Sequence, residues 1–302
     1  TSGAAGGEQW VSFHGLPARH SLVLWEGIPL SDPFSPGDSA DVSTVGRPQG
    51  ASVFARPFGS LYGNRASGGV LDLRWFPSGP PTAGQISGGV EVGSEGAVSE
   101  HISLHARRGQ FQYSLAARRE DSRGISAAAG GSEADGYSKT EVLGGGRLHV
   151  GRGKFTVLAR HSQRETDFDG NDPLTFLPVD QAGNRAFASH SVLGLQAQMA
   201  LSSELELALQ TSSGFSRYRS VGEWPYERFA PEHRVRVQGS SRGLMAGVEA
   251  ASVAGQWEAA AFANKGYVLG EADFNSGLRY EVAADLGTAL FDAEVGLRLS
   301  RG

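Results

Sequence analysis

Residues 204–210 read Glu-Leu-Glu-Leu-Ala-Leu-Gln, with a leucine at every second position. Successive side chains of a β-strand point to opposite faces, so this alternation predicts a strand with one apolar and one polar face. The pattern recurs from residue 83 onward without helical periodicity. It predicts about twelve strands of roughly 9–11 residues, at 85–93, 99–107, 110–119, 141–150, 154–163, 191–201, 204–210, 232–239, 243–251, 256–264, 278–286 and 290–300.

Alternation alone does not say which solvent each face meets. A soluble sandwich turns its apolar face inward, whereas a membrane barrel turns it toward lipid. The predicted connections alternate between short ones, at 151–153 and 202–203, and long ones, at about 164–187 and 217–231, as in outer-membrane barrels. The polar faces carry Gln, Ser, Gly, His and charges of both signs, as a water-filled lumen would. Both features favour the membrane barrel, although the alternation of loop lengths weakens after residue 240.

The composition narrows the function. The chain of 302 residues has a formal net charge of -5 and no cysteine, and 43 of its residues are glycine. It has no basic excess with which to bind nucleic acid, and it can form no disulfide or thiolate site. No catalytic motif such as Gly-x-Ser-x-Gly or His-Glu-x-x-His occurs. The composition thus argues against nucleic-acid binding and thiol chemistry, and it leaves an all-β protein in either water or lipid.

Three ordered motifs in residues 1–82 resemble the plug domain of TonB-dependent outer-membrane receptors. They are Val11-Ser-Phe-His-Gly15, His20-Ser-Leu-Val-Leu-Trp-Glu-Gly-Ile-Pro-Leu-Ser-Asp-Pro33 and Ala55-Arg-Pro-Phe-Gly-Ser-Leu-Tyr-Gly-Asn-Arg-Ala-Ser-Gly-Gly-Val-Leu71. In the last, Leu61-Tyr62-Gly63, Ala66 and Gly68-Gly69-Val70 match the plug pattern at the right spacing. The second motif is most similar to receptors of the vitamin B12 type. The chain departs from the family at His14, at Glu26 and after Arg56, where Arg, Asp and Gly are usual.

The resemblance implies an all-β membrane fold in which a plug domain precedes an antiparallel transmembrane β-barrel. Residues 1–82 would be the C-terminal part of the plug, and residues 83–302 the N-terminal part of the barrel. About twelve of the 22 strands expected for such a receptor are predicted here. We therefore expect a fragment of a receptor. A complete, smaller barrel built from the same parts is the alternative.

The resemblance also implies a function. A receptor of this kind sits in the outer membrane of a Gram-negative bacterium, in contact with the lipid bilayer and lipopolysaccharide. It would import a large, scarce small-molecule nutrient, such as cobalamin or an iron–siderophore complex, without chemistry on the substrate. A TonB-type energy-coupling protein would drive it through a segment that we expect to lie outside this chain. The alternatives are a passive or structural barrel with a degenerate plug, and a soluble β-sandwich that binds a partner.

By the same resemblance, ligand would bind on the plug apices and external loops. The apex candidates are Asp32, Pro33, Phe34, Tyr62, Asn64 and Arg65, although the turn around Gly63 could be purely structural. Glu26 and Arg56 could form plug–barrel ion pairs or remain solvated charges in the lumen.

Two further sites are predicted in the long loops. Trp224 and Tyr226 cluster with Phe229 in the loop at 217–231, where they could stack on a planar ligand or belong to the interfacial aromatic girdle. Asp167, Asp169 and Asp172 place three carboxylates in one loop, which suits calcium. Their spacing does not follow the EF-hand pattern, so an ordinary acidic loop is the alternative. No cofactor is otherwise expected.

Overall fold

The computed structural model describes residues 11–17, 20–29, 48–55, 66–76, 84–125, 134–171, 174–175, 178–179, 183–222, 225–241, 244–253, 256–265 and 278–282. These residues form seventeen β-strands and no α-helix, which confirms the all-β prediction. In the same described ranges, no helix is long and apolar enough to span a membrane.

Four N-terminal strands form a small sheet. They are β1 (Ser21–Trp25), β2 (Ile28–Pro29), β3 (Gly50–Phe54) and β4 (Gly69–Arg74), in the order β2-β1-β4-β3. Strands β1 and β4 are parallel, and the other pairs are antiparallel. The Gly68–Gly69 pair is needed for close approach, because a Cβ on Gly68 would lie 2.9 Å from the His20 carbonyl oxygen and one on Gly69 would lie 2.7 Å from the Phe13 ring.

Eleven strands form a large antiparallel sheet in which neighbours in the sheet follow one another along the chain. They are β5 (Gln85–Val92), β6 (Val98–Arg108), β7 (Phe111–Ser122), β8 (Tyr137–Val150), β9 (Gly153–Asp167), β12 (Arg185–Ala200), β13 (Leu205–Val221), β14 (Tyr226–Ser241), β15 (Leu244–Val253), β16 (Gln256–Lys265) and β17 (Leu278–Val282). Between β9 and β12, the short strands β10 (Gly170–Asn171) and β11 (Pro178–Val179) pair only with each other. Over the described residues the large sheet is open, with β5 and β17 at its edges.

Eleven of the twelve predicted strands are found in this sheet, and the twelfth, 290–300, lies outside the described residues. Most of these strands are longer than predicted, since β12 has 16 residues and β13 has 17, whereas β5 has only 8. The prediction of a long loop at 217–231 is wrong, because β13 runs to Val221 and β14 starts at Tyr226. The loop predicted at 164–187 is also shorter, because β9 and β12 stay paired up to Asp167 and Arg185. Backbone pairing continues there after the apolar alternation has ended.

The two faces of the large sheet differ in polarity. Directly paired residues share a face, so Ala197, Leu209 and Val237 lie on one face. This outer face exposes large apolar side chains, and Leu209 is 47% exposed. The opposite, inner face buries polar side chains, among them Ser114, Thr156, His190, Ser212 and Ser216. A soluble sheet would bury the apolar face; the observed polarity is that of a membrane barrel.

The small sheet lies against the inner face of the large sheet. One apolar cluster joins the two: Val23, Trp25, Ile28, Leu73, Trp75 and Phe76 come from the small sheet and the segment after it, and Ala116, Leu143, Leu158 and Val192 come from β7, β8, β9 and β12. A second cluster, of Leu22, Leu24, Ala66 and Val70, lies within the small-sheet region. Contact with the small sheet therefore buries part of the inner face.

Candidate functional site

The tip of the β1–β2 hairpin is backbone-strained. Trp25 pairs with Ile28, which leaves Glu26 and Gly27 as a two-residue turn, and their φ angles are 52° and 80°. Positive φ at both positions is characteristic of a type I′ turn, for which Asn-Gly and Asp-Gly are the preferred pairs. A glutamate with positive φ is uncommon, and such strain persists where the surrounding contacts hold it in place.

The Glu26 carboxylate supplies those contacts. Its Oε1 accepts hydrogen bonds from the backbone N–H groups of Trp75, at 2.6 Å, and Phe76, at 2.9 Å. Its Oε2 forms an ion pair with the Arg147 guanidinium on β8. The two side chains are only 8% and 12% exposed, so the pair is largely shielded from water. One carboxylate thus ties the hairpin to the end of β4 and to the inner face of the large sheet.

Two glycines on the inner face receive apolar side chains from the small-sheet region. A Cβ on Gly194 would lie 2.7 Å from Ile28 Cδ1, and one on Gly145 would lie 3.1 Å from the Phe76 ring. The guanidinium carbon of Arg147 also lies over the Phe76 ring, 4.5 Å from the ring centroid. At the hairpin tip, Gln210 Nε2 donates to the Gly27 carbonyl at 2.7 Å. The inner face is therefore shaped to fit the hairpin tip.

Asp72 is a second carboxylate at the hairpin tip, and it is half-buried in the small sheet. Its Oδ1 accepts a hydrogen bond from the Gly27 N–H at 3.0 Å. Burial raises the pKa of Asp72 above its usual value, and the Gly27 hydrogen bond opposes this shift. Asp72 therefore ionises at some cost in free energy, next to the turn that Glu26 holds.

The inner face also carries charged side chains beyond the small sheet. Glu141 forms ion pairs with Arg160 and with Lys139, whose Nζ lies 3.2 Å from Oε2, and all three side chains are buried. The register places six cations and three carboxylates on this part of the face, namely Arg118, Lys139, Arg160, Arg164, Arg228 and Arg234 with Glu120, Glu141 and Glu232. This part of the face is therefore more cationic than the whole chain.

Two aromatic–arginine groups lie on opposite faces of β13 and β14. On the inner face, Tyr218 and Tyr226 stack with ring centroids 5.4 Å apart, and the Arg228 guanidinium lies 5.0 Å from the Tyr226 centroid. On the outer face, Phe229 lies near Phe215, with Arg217 5.7 Å from the Phe229 centroid. Girdle residues point toward lipid, so the outer position of Phe229 suits the girdle and the inner position of Tyr226 does not.

Several predicted site residues lie outside the described residues: Asp32, Pro33, Phe34, Arg56, Tyr62, Asn64, Arg65, Asp172 and Trp224. Tyr226 lies in a strand rather than in the predicted loop. The structure thus brings Tyr226 together with Tyr218 and Arg228, which the sequence did not indicate as a group.

The acidic segment after β9 is partly described. Asp167 Oδ1 accepts a hydrogen bond from Arg185 Nε at 2.8 Å, and the same guanidinium contacts Glu165 at 2.8 Å. Within the described ranges, no group of three or more His, Asp or Glu side chains could hold a metal ion. Calcium binding by Asp167, Asp169 and Asp172 stays a prediction, since Asp172 is not among the described residues.

Comparison with known proteins shows the fold. No protein-family model matches the chain, and no curated protein matches it. Solved structures do. The siderophore receptor PiuA from Acinetobacter baumannii is 11% identical, with a TM-score of 0.56 over 86% of this chain and 42% of that one. The copper transporter OprC is 15% identical, with a TM-score of 0.61 over 82% and 39%. The ferric-catecholate import receptor Fiu from E. coli K12 is 12% identical, with a TM-score of 0.56 over 82% and 44%.

The chain folds like part of these receptors. It spans less than half the length of each, at 42%, 39% and 44%. This is the fold expected from the resemblance of the N-terminal motifs to TonB-dependent receptors. The vitamin B12 type is not distinguished by these comparisons and stays a prediction.

Proposed function

We propose that the protein takes up a scarce metal chelate across the outer membrane of a Gram-negative bacterium. The observation that carries this proposal is the inverted polarity of the large sheet together with the small sheet docked on its polar face. An apolar face turned outward suits lipid, and a polar inner face suits a water-filled path. The small sheet then occupies the place of a plug in that path.

The nature of the nutrient is part of the proposal. Structures of similar fold include a siderophore receptor, a ferric-catecholate import receptor and a copper transporter, which favours a metal chelate over cobalamin. The cationic inner face beyond the small sheet would attract an anionic chelate. The ligand would contact this wall and the apex residues Asp32, Pro33, Phe34, Tyr62, Asn64 and Arg65.

Uptake through a plugged barrel needs a source of work, because the plug must move or rearrange before a ligand can pass. We propose that a TonB-type coupling protein supplies it, and that the chain itself performs no chemistry on its ligand. The Glu26–Arg147 ion pair is among the contacts that such a displacement would break.

The test is uptake by cells that express or lack the protein under iron limitation. Radioactive iron chelates, copper and cobalamin are supplied separately, with and without a protonophore. The proposal predicts that one metal chelate accumulates only in expressing cells and only while the proton-motive force is intact. Uptake that persists in the presence of the protonophore would instead indicate a passive barrel, and no difference between the cells for any nutrient would reject transport.

A further inference from the structure

The stacked pair of Tyr218 and Tyr226 lies on the inner face near the strand ends. Tyr218 is paired with Arg228, and Ser220 with Tyr226. Even-numbered residues of β13 face inward, as the burial of Ser212, Ser216 and Ser220 shows. The strand end at Tyr218 is also the one where residues 168–184 connect β9 to β12. The pair therefore lies at the end of the inner face that bears the longer connections.

This group is accessible. Tyr226 is 44% exposed and Arg228 is exposed. The stacking of Tyr218 on Tyr226 and the position of Arg228 beside the Tyr226 ring fix the orientation of all three side chains. A rigid aromatic surface next to an oriented guanidinium loses little conformational entropy when it binds a ligand.

Two arginines near Arg228 have carboxylate partners. Arg217 forms an ion pair with Glu227, and Arg234 forms one with Glu232. Among the described residues, the Arg228 guanidinium forms no ion pair or hydrogen bond, and it lies beside the Tyr226 ring. A guanidinium carries five N–H donors in a planar fork that fits the two oxygens of a carboxylate or catecholate.

We propose that Tyr218, Tyr226 and Arg228 form a binding subsite for a planar aromatic anion of the benzoate or catecholate class. The ligand's ring stacks on the tyrosine surface, and its anionic oxygens accept hydrogen bonds from Arg228. This inference rests on the proposed uptake function and adds to it the chemical class of the chelating group.

The test uses the protein purified from outer membranes in detergent, with two ferric probes. One is the ferric complex of dihydroxybenzoate, which is aromatic and anionic, and the other is the ferric complex of acetohydroxamate, which is aliphatic and neutral. Binding is measured by calorimetry for the wild type, Tyr226→Ala and Arg228→Gln. The matched control is Arg217→Gln, which removes an arginine beside an aromatic ring on the outer face of the same two strands. Heat-dependent migration on gels confirms that each variant is folded.

The wild type should bind the aromatic probe more tightly than the aliphatic one. Arg228→Gln and Tyr226→Ala should each weaken that binding about tenfold or more, as expected for loss of a charge-assisted or stacking contact. Arg217→Gln should change it by less than about twofold, as expected for an exposed ion pair.

Binding of the aromatic probe that is equal in Arg228→Gln and Arg217→Gln, or preference for the aliphatic probe, would overturn the subsite. Energy-dependent uptake of a nonaromatic chelate by cells would leave the transport proposal standing in that case. If neither probe binds and cells take up no chelate, both proposals fail.

Discussion

Replacing Glu26 by alanine should release the hairpin tip from the large sheet. The substitution removes the acceptor of the Trp75 and Phe76 N–H groups and leaves Arg147 as a charge without its partner. Removing one member of a largely buried ion pair costs about 3–5 kcal/mol. Each ~1.4 kcal/mol is a factor of ten in an equilibrium constant. The local opening equilibrium should therefore shift by about 2 to 3.5 orders of magnitude.

Hydrogen exchange followed by mass spectrometry measures this shift, because amides exchange through local opening. Peptides covering residues 66–76 should lose protection in Glu26→Ala, while peptides from β9 should not change. The matched control is Glu165→Ala, since the Glu165–Arg185 pair is exposed and such pairs contribute ~0–1 kcal/mol.

A double-mutant cycle with Arg147→Met tests whether the effect runs through the ion pair. Each single substitution leaves one unpaired charge, whereas the double variant leaves none. The double variant should therefore lose less protection than the sum of the losses in the two single variants. If Glu26→Ala exchanges like the wild type at residues 66–76, the account of the hairpin contact is wrong.

Four further outcomes are expected. Gly194→Val should lower protection of residues 20–29 by about 1–3 kcal/mol, because the new side chain overlaps Ile28, whereas Gly239→Val, with open space around it, should not. Asp72→Asn should stabilise the small sheet at pH 7, and this gain should shrink toward pH 4. The pKa of Asp72 is raised in the folded state, so the wild type is most stable with Asp72 protonated, below its unfolded pKa, and loses that stability as pH rises. Leu195→Arg on the outer face should reduce the folding free energy in membranes by about 2–4 kcal/mol, measured by urea titration in vesicles. Asp169→Asn should abolish any calcium-dependent protection of residues 167–171 from protease, and protection equal to that of the wild type would place calcium elsewhere.

The alternation in residues 204–210 is enough to predict the strands, because the period of two is a local property. It does not identify the inner face, because that depends on where the small sheet docks. The ends of β13 and β14 are also not predictable from the alternation. Near Tyr218 and Arg217 both faces carry polar or aromatic residues, yet backbone pairing continues.

The contacts of Glu26 show the same limit at the site. The sequence shows Glu where Asp is usual, and the family resemblance leaves two alternatives for it, an ion pair with the barrel or a solvated charge. That partner, Arg147, is 121 residues away, and nothing local in β8 distinguishes it from other arginines on strands. Gly194 likewise looks like any other glycine until Ile28 is placed against it.

The orientation of the large sheet is the central claim, and spin labels test it most directly. The chain contains no cysteine, so Leu195→Cys and Leu209→Cys label the outer face, and Gln196→Cys and Gln210→Cys label the inner face. In outer-membrane vesicles, the labels at 195 and 209 should collide freely with oxygen, which concentrates in lipid, and those at 196 and 210 should not. The opposite pattern, or equal accessibility at all four positions, would contradict a lipid-facing apolar surface and the transport function built on it.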